Sequence, residues 1–75
     1  MTQDVVDLIR DERERAIETL RQIEDEGLVI YEAEDGEPMR DVTAKRANRQ
    51  RQIIERMDLI LDHMAREAAL ADQAL

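Results

Sequence analysis

Between Asp41 and Leu70 the chain reads DVTAKRANRQRQIIERMDLILDHMAREAAL, with no Gly and no Pro. So long a stretch without a helix breaker, with apolar residues returning every three or four positions, specifies one long α-helix. Asp41 or Thr43 is placed to cap its start, and the helix is expected over residues 42–73. Ala47, Ile54, Leu61, Ala68 and Leu75 share one seam position of a heptad repeat; Gln50, Met57, Met64 and Ala71 share the other. Gln50 is the polar exception. It either faces solvent near the helix start or pairs with its own copy and sets oligomer order. Ile53 and Ile60 flank the seam and widen it, which suits a bundle better than an isolated two-stranded coil.

A helix with such a stripe needs a partner surface. The first candidate is DVVDLIRDERERAIETLRQIEDEG, expected helical over residues 4–26. Asp4 is a suitable N-cap, and Asp7 suits the positive end of the helix dipole. Val6, Ile9, Ala16, Leu20 and Ile23 form its stripe, interrupted by Arg13. Gly27 is a suitable C-cap because Gly enters the left-handed region without steric cost. The connector, residues 27–40, begins with the β-branched and aromatic run LVIY and continues through EDGEP, where Asp35, Gly36 and Pro38 signal a turn. A short β-hairpin and a structured loop both fit. The expectation is therefore a single, mainly all-α domain over residues 1–75. It is an antiparallel helical hairpin of about 23 and about 32 residues joined by that short hairpin or loop.

Two such helices make a thin core. The chain has 75 residues, no Phe, no Trp, one Tyr and no Cys, so neither aromatic bulk nor a disulfide makes up the deficit. This favours a homo-oligomer. Folding the shorter helix back on the longer leaves REAALADQAL, Arg66 to Leu75, as an expected overhang of about 13 Å. That overhang either pairs with another subunit or stays a frayed, solvated tail. Ile54, Met57, Leu61, Met64, Ala68, Leu70, Ala71 and Leu75 are the candidate oligomerisation residues. The same geometry sets Arg13 opposite residues 55–58, where Glu55 or Asp58 can pair with it and fix register. Otherwise Arg13 reaches to water with its stem over Ile9 and Ile17.

Chemistry is largely excluded by what the chain lacks. No Ser or Cys is present to act as a nucleophile, and Thr2, Thr19 and Thr43 have no neighbouring His. His63 with Glu67 one turn on makes at most half a metal site and reads as a solvated pair. Glu24, Asp25 and Glu26 lie on charged surface without the apolar pocket that would tune a general acid. With two Gly there is no phosphate loop. The expectation is a non-enzyme with no cofactor, no metal and no small-molecule substrate. No signal peptide or membrane-length apolar run is visible, so a soluble, cytoplasmic protein without a membrane partner is expected.

Charge is more informative than chemistry here. Charged residues are 40% of the chain and the net charge is -8. Glu24 to Asp41 carries eight acids and one Arg, whereas Lys45, Arg46, Arg49, Arg51 and Arg56 follow with Glu55 as the one acid among them. Three arrangements remain open: a stripe tracking a nucleic-acid backbone, acidic loop to basic helix pairing between subunits, or a solvated face of i, i+4 pairs. The lack of interleaved aromatics argues against stacking on single strands.

From Ala16 to Leu61 the order of elements resembles the phage terminase small subunit. A helix ends in Gly27, Leu28 and Val29, a turn carries Gly36, and a helix containing Ala44, Ala47 and Ile54 follows. The resemblance implies a ring-forming, non-catalytic DNA-packaging factor that recognises viral DNA and passes it to a large terminase subunit. This chain departs from the family pattern at Asp41-Val42, where the family has Pro. It departs again after that helix, with REAALADQAL in place of a Gly-Leu-Thr-Pro-like stretch, and a separate helix-turn-helix before Asp4 is not expected. The alternative reading is a small acidic interaction protein, such as an antitoxin or a phage-encoded inhibitor, that binds a basic protein partner.

Overall fold

The computed structural model describes residues 2–73. The chain is mainly helical, with two helices packed on each other and a two-stranded antiparallel hairpin between them. Helix α1 spans Thr2–Asp25, strand β1 Tyr31–Glu32, strand β2 Arg40–Asp41, and helix α2 Thr43–Gln73. Leu75, expected on the α2 seam, lies outside the described residues.

Helix α1 begins before Asp4, so that residue sits inside the first turn rather than at the cap, where its carboxylate faces the positive helix end. The helix stops where Gly27 takes φ 71°. That reversal lets the Leu28 amide return to the Gln22 carbonyl at 3.0 Å, which also accepts the Glu26 amide at 3.2 Å. A carbonyl left over at the helix end is thereby satisfied.

In the connector, Glu37 N–H donates to the Glu34 carbonyl at 2.9 Å across a turn whose third residue, Gly36, has φ 81°. Tyr31 pairs with Asp41, and Glu32 with Arg40. The apolar run LVIY is thus mostly lead-in to the strand. Its pairing partner must follow Pro38, which has no N–H to give a ladder, so the ladder forms late, just before α2. Val42 N–H to the Ile30 carbonyl, 2.9 Å, adds one further rung.

The start of α2 departs from the expected cap. The first helical bond runs from Arg46 N–H to the Val42 carbonyl at 2.9 Å, so Val42 holds the cap position. Asp41, held in β2, turns its carboxylate forward and accepts the Thr43 amide at 2.9 Å and the Thr43 hydroxyl at 2.6 Å. The Thr43 hydroxyl oxygen in turn accepts the Ile30 amide at 2.9 Å. One threonine therefore joins connector to helix, because a hydroxyl can donate once and accept at the same time.

Two ion pairs cross between the helices and define their register. Arg13 Nε donates to Asp58 Oδ1 at 2.5 Å, and Arg51 pairs with Glu24. The pairing available to Arg13 from sequence geometry is thus made, with Asp58 rather than Glu55. Counting outward from these pairs sets Asp4 level with about residues 67–71 and Asp25 level with about residues 46–50. Among the described residues the greater length of α2 consequently lies mainly at its N-terminal end, where the β-hairpin adjoins its first turn, and not at its C-terminal end as expected. The loop determines this. Its pairing to Asp41 and Thr43 carries the start of α2 past the end of α1.

Candidate functional site

The packed seam uses Val6, Ile9, Ala16, Leu20 and Ile23 of α1 against Ala47, Gln50, Ile54, Met57, Leu61 and Met64 of α2. Ala16 and Ala47 are buried, at 2% and 5% exposure, and the others are half-buried. No side chain among the described residues is fully enclosed. Ala16 and Ala47 are the covered points of the seam, while the larger side chains lie along the edges of a two-helix layer with open faces.

Those two faces differ. On one, Arg13–Asp58 and Glu24–Arg51 bridge the groove. Helical spacing sets Val5, Leu8, Glu12, Arg15 and Thr19 of α1, with Ile53, Met57, Ile60 and Met64 of α2, toward the other. Its groove is floored by Ala16 and lined by Glu12, Arg15, Gln50 and Ile53. Val5 is 49% exposed, Leu8 65% and Ile60 40%. No ion pair crosses this second groove among the described residues.

The candidate oligomerisation residues divide between these environments. Ile54 and Leu61 point into the seam with α1, and Met57 and Met64 lie half-covered toward the open face. Ala68, Leu70 and Ala71 are exposed on the last turns of α2. Gln50 is half-buried and lines the open groove.

The basic run of α2 is partly consumed within its own chain. Arg46 pairs with Glu32 of β1, and Arg51 with Glu24 of α1 while also donating to Asn48 at 2.9 Å. Lys45 and Arg49 stand beside Glu32 and Arg46 around a shallow depression, and Arg56 is exposed. The acidic connector and the basic helix start therefore meet in one protomer. A second shallow hollow, lined by Glu32, Glu34, Arg40, Asp41, Val42, Ala44 and Lys45, mixes both charges.

Three carboxylates are held below the usual range. Glu32 is lowered chiefly by its bond from Arg46, and Glu18 by its bonds from Arg21, at 2.6 and 3.0 Å. Asp41 is lowered by the Thr43 hydroxyl and amide. Arg21, between Glu18 and Glu26, is held more firmly protonated than an ordinary guanidinium. His63 Nε2 lies 3.5 Å from Glu67 Oε1 with both side chains well exposed, and Arg66 pairs with Asp62 at 2.9 Å. Among the described residues no group of three or more potential ligands is gathered for a metal.

Sequence reasoning missed the difference between the two faces, and with it Glu12 and Arg15. They lie in the charged run RDERER and read as generic surface. A signal was present, because Val5, Leu8, Glu12, Arg15 and Thr19 form a second stripe beside the main one. No protein-family model matches the chain, and neither a curated protein nor a solved structure matches it. No helix among the described residues is long and apolar enough to cross a membrane.

Proposed function

We propose that this chain is a non-enzymatic assembly protein that works as a homo-oligomer. Incomplete burial is the observation that carries this reading. Two amphipathic helices of 24 and 31 residues pack together, yet among the described residues only Ala16 and Ala47 are buried. Burying a Leu, Ile or Met contributes roughly 1.5–3 kcal/mol, and here those side chains stay half in water. Further copies of the chain supply the missing core. In its fuller form, resting on the sequence resemblance, the oligomer is the assembly core of a phage small terminase subunit. It would be cytoplasmic, bind DNA through Lys45, Arg49 and Arg56, and engage a large terminase subunit.

Native mass spectrometry and light scattering at micromolar concentration test the first level; the expected mass is a multiple of 8.7 kDa. A single-chain mass at several hundred micromolar overturns it. The packaging reading adds a ring-sized mass and salt-sensitive DNA binding that Lys45→Glu with Arg49→Glu abolishes. DNA binding indifferent to salt and to those changes counts against it.

Net charge favours a second reading, an acidic interaction protein for a basic partner. The chain carries -8, and the basic residues Arg46 and Arg51 are paired internally. That reading expects a monomer or dimer without DNA affinity.

A further inference from the structure

We infer that the groove face opposite the two cross-helix ion pairs docks a second copy of this chain about a two-fold axis, giving an antiparallel four-helix bundle. The inference rests on the assembly reading above and says where and how the first contact forms.

The chain exposes 6243 Å², whereas a folded chain of 8.7 kDa exposes about 4,700 Å². The surplus of about 1,500 Å² exceeds the roughly 800 Å² each partner gives to a stable interface. Only one face suits. Arg13–Asp58 and Glu24–Arg51 already occupy the other, and covering it would strip water from four charged groups. The open face carries Val5, Leu8, Ile53, Met57, Ile60 and Met64.

Glu12 and Arg15 flank the open groove three residues apart, and neither has a partner in its own chain among the described residues. A two-fold contact must be self-complementary. An axis passing between these two residues sets Glu12 of one copy against Arg15 of the other, twice. The Arg13–Asp58 pair sets Glu12 to Arg15 of α1 level with about residues 56–59 of α2. The same axis therefore crosses α2 near Met57 and brings Met57 of the two copies together. Both helices then meet their copies antiparallel, the usual arrangement in helical bundles.

The test is native mass spectrometry with sedimentation on full-length variants. Leu8→Glu is expected to drop the mass from a multiple to 8.7 kDa, whereas Leu59→Glu, equally exposed at 66% but on the outer side of α2, leaves it unchanged. Loss of assembly with Leu59→Glu and not with Leu8→Glu overturns the inference. Because Leu8 is 65% exposed, the change leaves the hairpin's own packing intact. Glu12→Arg or Arg15→Glu alone is expected to weaken self-association about tenfold, and the double exchange to restore it, as charge pairs across interfaces do. A double variant weaker than either single one overturns the reciprocal pairing. An oligomer with an odd number of subunits keeps the assembly reading and overturns the two-fold contact. A chain that stays single at every concentration overturns both.

Discussion

At the residue scale, Thr43 joins connector to helix. Its hydroxyl accepts from Ile30 and donates to Asp41, and its amide also reaches Asp41. Thr43→Val keeps the shape and removes both hydroxyl bonds, leaving the half-buried Ile30 amide without that acceptor. The expected loss is about 1–2 kcal/mol by urea unfolding, with faster amide exchange at Ile30. The lowered carboxylates give a second expectation. Glu18, Glu32 and Asp41 titrate below their ordinary values when folded. Their contribution is therefore present above the unfolded carboxylate range, about pH 4, and is lost as pH falls through the lowered folded values. Carboxyl carbon shifts followed by NMR should show these three titrating lower than in the denatured chain. Equal midpoints in the two states would refute the assigned pairs.

Glycine and ion-pair register act at the element scale. Gly27 sits at φ 71° with open space around its missing side chain, so backbone strain alone decides the effect of a substitution. Gly27→Ala should cost about 1–2 kcal/mol, read as a lower denaturation midpoint with unchanged urea slope. The Arg13–Asp58 pair is only partly shielded, with side chains 33% and 52% exposed. A double-mutant cycle with Arg13→Met and Asp58→Ala should return about 0.5 kcal/mol of coupling. The value of this pair lies more in setting register than in stability. Both helices and the turn at Gly36 were legible in the sequence, because periodicity and positive-φ glycines are local signals. The strand position was less legible. LVIY has the right residue types, but which of its residues pairs depends on where the chain returns after Pro38.

Across the whole molecule, extent and burial disagree with a self-sufficient fold. The radius of gyration is 17.3 Å and the extents are 60 × 28 × 16 Å, against about 11 Å for a compact chain of this length. A two-helix layer 16 Å thick has little interior: Ala16 and Ala47 are covered, and the larger seam residues meet one helix and then solvent. If further copies complete the core, the thermal midpoint must rise with protein concentration. Scanning calorimetry over a hundredfold concentration range checks this, and a constant midpoint would mean that the hairpin unfolds as a single chain.

By itself the sequence determined the two long helices, their antiparallel return, the glycine-marked ends and the shortage of core-forming side chains. Each of these follows from residue spacing or residue type along one segment. Only the tertiary structure decided which end of α2 runs past α1, which acid Arg13 meets, how the basic residues divide between paired and unpaired, and which face of the hairpin stays open. Those outcomes depend on the relative rotation and offset of two helices. Rotation and offset are set by the burial of Ala16 and Ala47, by the cross-helix pairs Arg13–Asp58 and Glu24–Arg51, and by the few hydrogen bonds joining Ile30, Asp41 and Thr43, contacts between segments that no single stretch of the chain encodes.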